Sequence, residues 1–401
     1  MINNKTLNEV VLKPITGEWG SEGDNVNVLR TTNFTNEGKL NYSKVVKRNI
    51  DPIKVEKKKL KVGDIIIEKS GGSPKQPVGR VVFFENEGEY LCNNFTAILR
   101  PKKDEIVPKY LFYILFCNHK FGFTSAYQNK TTGIINLQLP RYLKGTEVSL
   151  PPLDQQKKIA AILDAADRYR QKTKALISKY DELTQSLFLD MFGDPVKNKF
   201  NWSPRKCGDF IEYLADIGSN GANKVISEKL VMSDDEDYAI MIRTTNLNRN
   251  DFVNNIKYVS KDVYEFFKKS QIFGGEIIMN KIGSAGDFWI MPNLEKPVSL
   301  GLNQFVIRLK DINLQFFYHF LSTDYGTLNI KSRCNGAATK SITKTAVRDL
   351  PILYPPIELQ NKFAERVQAI EVQKAQTEAS LVQADNLFNS LLQKAFKGEL
   401  I

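Results

Sequence analysis

"LPPLDQQKKIA" (Leu150–Ala160) and "YPPIELQNKFA" (Tyr354–Ala364) decide how this chain is organised. Each sets a double proline directly before a long run rich in helix formers. Proline fixes the backbone before a helix but breaks one inside it, so each pair marks a boundary. The second stretch is a diverged copy of the first, 204 residues further on.

Other copies lie outward from these two in the same order. "RTTN" occurs at Arg30–Asn33 and Arg243–Asn246. "VGDIIIEKSGGS" (Val62–Ser73) is echoed by "GGEIIMNKIGSAG" (Gly274–Gly286), and "NNFTAILR" (Asn93–Arg100) by "NQFVIRL" (Asn303–Leu309). "PKYLFYILF" (Pro108–Phe116) is echoed by "LQFFYHFL" (Leu314–Leu321). Ordered matches at a slowly drifting offset indicate a tandem duplication. Its period is too long for a solenoid repeat, so each half must hold a domain.

Each half opens with an irregular mixed α/β pattern. Short β-rich runs such as "DIIIE" (Asp64–Glu68) and "QFVIRL" (Gln304–Leu309) are broken by Gly, Asn, Ser and Pro clusters. After Pro151–Pro152 no Gly or Pro occurs from Leu153 to Phe192. Ile159, Ile162, Ala166, Tyr169, Thr173, Leu176, Tyr180, Leu183 and Leu187 alternate in steps of three and four, the period of a coiled-coil seam. The helix would be roughly 58 Å long. Val367, Ile370, Thr377, Leu381, Ala384, Phe388 and Leu391 mark its counterpart, with Lys374 at one seam position.

The expected α/β architecture is thus two similar mixed α/β domains separated by two long antiparallel helices, a pseudo-twofold duplication with a coiled-coil spacer. The expected boundaries are a domain over residues 1–150, a helix over 151–195, a second domain over 196–350 and a second helix over 351–401. The alternative is that each helix folds back on its own globule.

The net charge of +11 favours a polyanionic partner. Lys44–Lys69 concentrates nine Lys/Arg against four Asp/Glu. Cys92, Cys117, Cys207 and Cys334 are scattered and read as reduced structural residues. No long apolar run and no signal-peptide core is present, so a cytoplasmic, soluble protein with no membrane partner is expected. No phosphate-binding loop, GxGxxG or Asn-Pro-Pro-aromatic motif occurs, and no cofactor or metal is expected. Glu68 and Lys69 are adjacent in a strand and point to opposite faces, which disfavours a nuclease carboxylate cluster. His119 and His319, the only histidines, sit in apolar helical runs.

The proline–helix junctions, the "GDIIIEKSGGS"-like strand and loop, and "NWSPRKCGDF" (Asn201–Phe210) together resemble the specificity subunits of Type I restriction–modification enzymes. The resemblance covers essentially the whole chain. "LNEVVLKPITGEWG" (Leu7–Gly20) matches the usual domain opening poorly. The resemblance implies two target-recognition domains, each reading half of a split, non-palindromic site in double-stranded DNA. It implies a subunit with no active site of its own. Two modification (methyltransferase) subunits would dock on it, with restriction (translocase/nuclease) subunits in the full complex. The competing readings are a self-sufficient DNA methyltransferase and a coiled-coil adaptor that binds no DNA.

The candidate DNA contacts follow from donor chemistry. Arg30, Thr31, Thr32 and Asn33, with their copies Arg243, Thr244, Thr245 and Asn246, belong either to a shared scaffold or to phosphate contact. Lys69, Ser70 and Ser73, with Lys281 and Ser284, flank Gly/Ser loops that either approach phosphate or form plain turns. Base reading is assigned to polar residues that differ between the halves: Lys75, Gln76, Asn129, Lys130, Thr131 and Thr132 in the first, Asn335, Thr339 and Lys340 in the second.

Overall fold

The computed structural model describes residues 3–131 and 134–400. The chain divides into two compact units. One takes in the chain up to Ala175 together with the segment from Glu378 onward; the other is Leu176–Thr377. Each unit therefore holds one globule and a part of both long helices, Leu153–Phe192 and Ile357–Lys397.

In the first unit, Asn3–Thr6 pairs antiparallel with Glu147–Leu150 and closes the globule at its ends. The central sheet orders Ile15–Thr16, Thr96–Leu99, Ile65–Glu68 and Val81–Phe83. A second sheet orders Val46–Asn49, Ser21–Leu29 and Tyr90–Cys92. The run "III" is continuous because this strand is covered on both faces. Ile65 and Ile67 join the core built on the aromatic helix Pro108–Lys120, while Ile66 joins a second core with Leu29, Phe34 and Phe84.

The second unit repeats the plan. Ser203–Lys206 pairs with Pro351–Tyr354. Its central sheet orders Ile211–Ala215, Gln304–Leu309, Ile277–Asn280 and Phe288–Ile290. Ile277 and Met279 face the core of the aromatic helix Leu314–Ser322, and Ile278 faces the opposite one. The duplication is thus visible in strand order as well as in sequence. The opening of the first half is present too, with its strand Asn3–Thr6 directly before the stretch that matched poorly. In both halves a carboxylate caps the turn after this strand: Glu9 accepts from the Thr6 amide at 2.7 Å, and Asp209 accepts from the Lys206 amide at 3.3 Å.

The double-proline motif carries a buried glutamine at the head of each long helix. Gln156 Oε1 accepts from the Val107 amide at 2.9 Å, and its Nε2 donates to the Pro151 carbonyl at 2.9 Å. Gln360 does the same with the Asn313 amide at 3.0 Å and the Pro355 carbonyl at 2.8 Å. Each glutamine ties the long helix to the start of the aromatic helix, and each is almost fully buried. Gln360→Ala strands a buried donor and acceptor. It is expected to destabilise the second unit by about 1–3 kcal/mol. Gln156→Ala should act alike on the first. The check is the urea midpoint of each variant, and two unchanged midpoints would remove this assignment.

The helices pack on each other within both units. In the first, Arg170 reaches Asp385 at 3.2 Å. In the second, Lys374 pairs with Asp181 at 2.6 Å and Phe188 packs on Phe363. Residue numbers rise along one helix as they fall along the other, so the pair is antiparallel there. The C-terminal helix buries the face that its periodicity marked, including Val367, Ala384 and Phe388.

The central helix buries only part of the seam read from its sequence: Ile159 and Thr173 are buried, and Ala166, Tyr180 and Leu187 are half-buried. Ile162, Tyr169, Leu176 and Leu183 are 38%, 55%, 41% and 50% exposed. The rest of the buried face lies one residue further on, at Leu163, Asp167, Arg170, Thr184 and Phe188. Counting apolar residues missed it because much of it is polar. Asp167 is neutralised by Arg170 at 2.8 Å and by Lys39 at 2.9 Å, and both threonines donate to carbonyls one turn back. A buried polar group so partnered carries little of the usual cost.

Candidate nucleic-acid interface

The RTTN turns are built alike. Asn33 is buried; its Oδ1 accepts from the Arg30 amide at 2.8 Å and its Nδ2 donates to the Asn41 carbonyl at 2.9 Å. Asn246 makes the matching bonds to the Arg243 amide and the Asp251 carbonyl, both at 3.3 Å. Arg30 and Arg243 fold back onto the carbonyls of Lys44 and Asn255. Thr32 and Thr245 remain exposed.

Both turns brace the base of the neighbouring strand and loop. In the first unit Arg80 grips Glu68 through Nε and Nη2, each at 2.9 Å, and also donates to the Thr31 carbonyl at 3.4 Å. In the second, Thr244 donates to Asn280 at 2.8 Å, and Asn280 donates to Ser284 at 2.6 Å. Asp64 is held by Arg100 at 2.7 Å, and its counterpart Glu276 by Arg308 at 3.2 Å. Both carboxylates near "IIIE" are therefore engaged by arginine.

Tertiary pairing gathers candidates that are distant in sequence. In the first unit Ser70–Gly72 pairs with Ile134–Leu137, which pairs with Gln128–Thr131. Ser70, Asn136 and Asn129 fall in one cross-strand row and so share a face. Ser73 and Gln76 close a hairpin that leaves Ser73, Lys75 and Gln76 exposed. Lys130 and Thr131 take part through their backbone pairing. Thr132 lies outside the described residues.

In the second unit Ile282–Gly283 pairs with Lys340–Ser341. Asn335 and Ser341 exchange backbone hydrogen bonds at 2.8 Å, closing a hairpin with Asn335, Thr339 and Lys340 exposed. Gly336 turns this hairpin at φ +105°, where a Cβ would lie 2.1 Å from the Thr339 carbonyl oxygen. Ser284 is exposed and Lys281 half-buried at the foot of the facing loop. Lys69 occupies the corresponding position in the first unit, and both lysine amides donate to the adjacent turn, at Phe95 and Asn303.

Sequence reasoning did not find Asn136, Asp216 or Lys344. Asn136 sits inside an otherwise apolar strand, and the other two gain their setting only from tertiary contacts. His119 and His319 are pushed down to about 4 by burial, so both are neutral at pH 7. In the first unit Lys44, Lys47, Lys57 and Lys61 make no ion pair among the described residues. No helix among the described residues is long and apolar enough to cross a membrane, and no His/Cys/Asp/Glu group there could hold a metal.

Two copies of one mixed α/β framework, each gathering polar loops beside its central sheet and sharing a helix pair, define a tandem-repeat α/β protein. The chain belongs to the Type I restriction modification DNA specificity domain family, whose model matches residues 18–179 and 200–382. It is similar to the Type I restriction enzyme EcoKI specificity subunit of Escherichia coli K12, 24% identical over 94% of this chain and 83% of that protein. It is also 22% identical to the EcoBI specificity subunit of Escherichia coli, over 77% of this chain and 69% of that one. The S subunit of a Type I restriction–modification system from M. genitalium shares the fold, with a TM-score of 0.58 and 15% identity over 99% of this chain and 96% of that one.

Proposed function

We propose that this chain is the DNA sequence-specificity subunit of a Type I restriction–modification complex. Each globule binds one half of a bipartite, non-palindromic duplex site. The helix pair sets the spacing between half-sites and docks two modification subunits, and catalysis resides in those and in the restriction subunits. The observation that carries this reading is one framework used twice with different exposed residues. Ser73, Lys75, Gln76 and Asn129 stand on the first, and Ser284, Asn335, Thr339 and Lys340 on the second. Base-edge readout needs such donors and acceptors on an exposed surface. Thr32 and Thr245 suit phosphate, while Asn33 and Asn246 serve the scaffold. Ile162, Tyr169, Leu176 and Leu183 recur every seven residues on the exposed face of the central helix and offer partner helices an apolar stripe.

Selection from a pool of random duplexes, with and without a modification subunit, tests the reading. A split, asymmetric motif is expected. Replacing residues 1–150 with another family member's domain should change one half-site and leave the other intact. Binding of S-adenosylmethionine by the chain alone would favour a self-sufficient methyltransferase. Absence of any selected motif would favour an adaptor.

A further inference from the structure

Asp216 follows the strand Ile211–Ala215 and is 8% exposed. Lys281 Nζ donates to its Oδ2 at 2.7 Å, and Lys344 Nζ lies 2.8 Å from its Oδ1. Ser219 Oγ donates to Oδ1 at 2.8 Å and accepts from Lys344 at 2.7 Å. Burial alone would raise the Asp216 carboxyl, but these donors outweigh it and hold it at about 2. One carboxylate thus holds two ammoniums, and the cluster retains a net positive charge.

The lysines stay accessible, with side chains 24% and 38% exposed. An ammonium has three donors. Lys281 directs one inward and Lys344 two, which leaves three N–H groups for another acceptor. Lys281 opens the loop that pairs with Lys340–Ser341, and Lys344 follows that strand closely. Both therefore border the hairpin that presents Asn335, Thr339 and Lys340.

Among its described residues the first unit has no such cluster. Strand register puts Thr16 where Asp216 stands, because Ile15 pairs with Ile98 as Ala215 does with Val306. Pro140 precedes Glu147–Leu150 as Lys344 precedes Pro351–Tyr354. Lys69, which corresponds to Lys281, makes no ion pair among the described residues.

We propose that Lys281 and Lys344 together clamp one backbone phosphate of duplex DNA, with buried Asp216 as the positioning residue that holds the two ammoniums side by side. This rests on the DNA-binding reading above. The test is the slope of log affinity against log salt for the full chain on a random-sequence duplex pool. Each phosphate contact contributes about 0.9 to that slope. Lys281→Met and Lys344→Met should each lower it by about 0.9. The double variant should lower it by the same amount, since both lysines serve one phosphate. The motif selected from the pool should not change.

Asp216→Asn separates positioning from bulk charge. It makes the protein more positive, so a merely repulsive Asp216 would leave the slope unchanged or steeper. Positioning instead requires a shallower slope. Thermal melting checks that variant's fold; if it does not fold, the lysine pair alone decides. Unmoved slopes in the lysine variants, or a double variant that loses twice as much as either single, would overturn the clamp. A wild-type chain whose binding is indifferent to salt would overturn the DNA reading itself.

Discussion

Arg80→Met should destabilise the first unit by about 3–5 kcal/mol, the cost of leaving a buried charge without its partner. Glu68 is 3% exposed and Arg80 9%. Their two parallel hydrogen bonds, each 2.9 Å, use both carboxylate oxygens. Removing the guanidinium strands an ionised carboxylate between the central sheet and the RTTN turn. It also frees the Thr31 carbonyl, to which Arg80 donates. The Glu68→Met, Arg80→Met double variant should recover most of the loss, because two apolar side chains of similar volume replace the pair. Hydrogen exchange at the amides of Ile65–Glu68 reads the effect locally, and urea unfolding reads it globally. A loss below about 1 kcal/mol for Arg80→Met would mean that water reaches Glu68.

Raising salt from 50 to 200 mM should weaken DNA binding by roughly 10³-fold or more, if about six or more phosphates are contacted. The net charge of +11 is the sequence-level reason. The structure refines it. Lys54 and Lys58 pair with Glu18, and Lys59 with Glu56, so part of the basic Lys44–Lys69 stretch is neutralised internally. Lys44, Lys47, Lys57, Lys61 and Lys69 remain without ion pairs among the described residues. These cations would release counterions from the duplex. The measurement is equilibrium binding to a fixed duplex across that salt range. A flat log–log plot would leave the basic composition as solubilising charge and remove the electrostatic support for a DNA partner.

The amino-acid sequence by itself determined the repeat, the two long helices that start after Pro151–Pro152 and Pro355–Pro356, and the buried strands. Those features rest on local periodicity and on proline geometry, which neighbouring residues specify. It also led to the family, through ordered motif pairs. What it left open depended on partners far along the chain. In RTTN the role of the asparagines depends on such partners: Asn33 and Asn246 bind the carbonyls of Asn41 and Asp251 and close their own turns. The central helix carries apolar residues on two adjacent faces, and periodicity alone favoured a seam of which Ile162, Tyr169, Leu176 and Leu183 face solvent. Only the polar partners of Asp167, Arg170 and Thr184 made the other face the buried one. The row Ser70–Asn136–Asn129 and the cluster around Asp216 join residues that chain order separates. Strand register and ion pairing over such separations are set by the packed core, so only the tertiary structure could decide them.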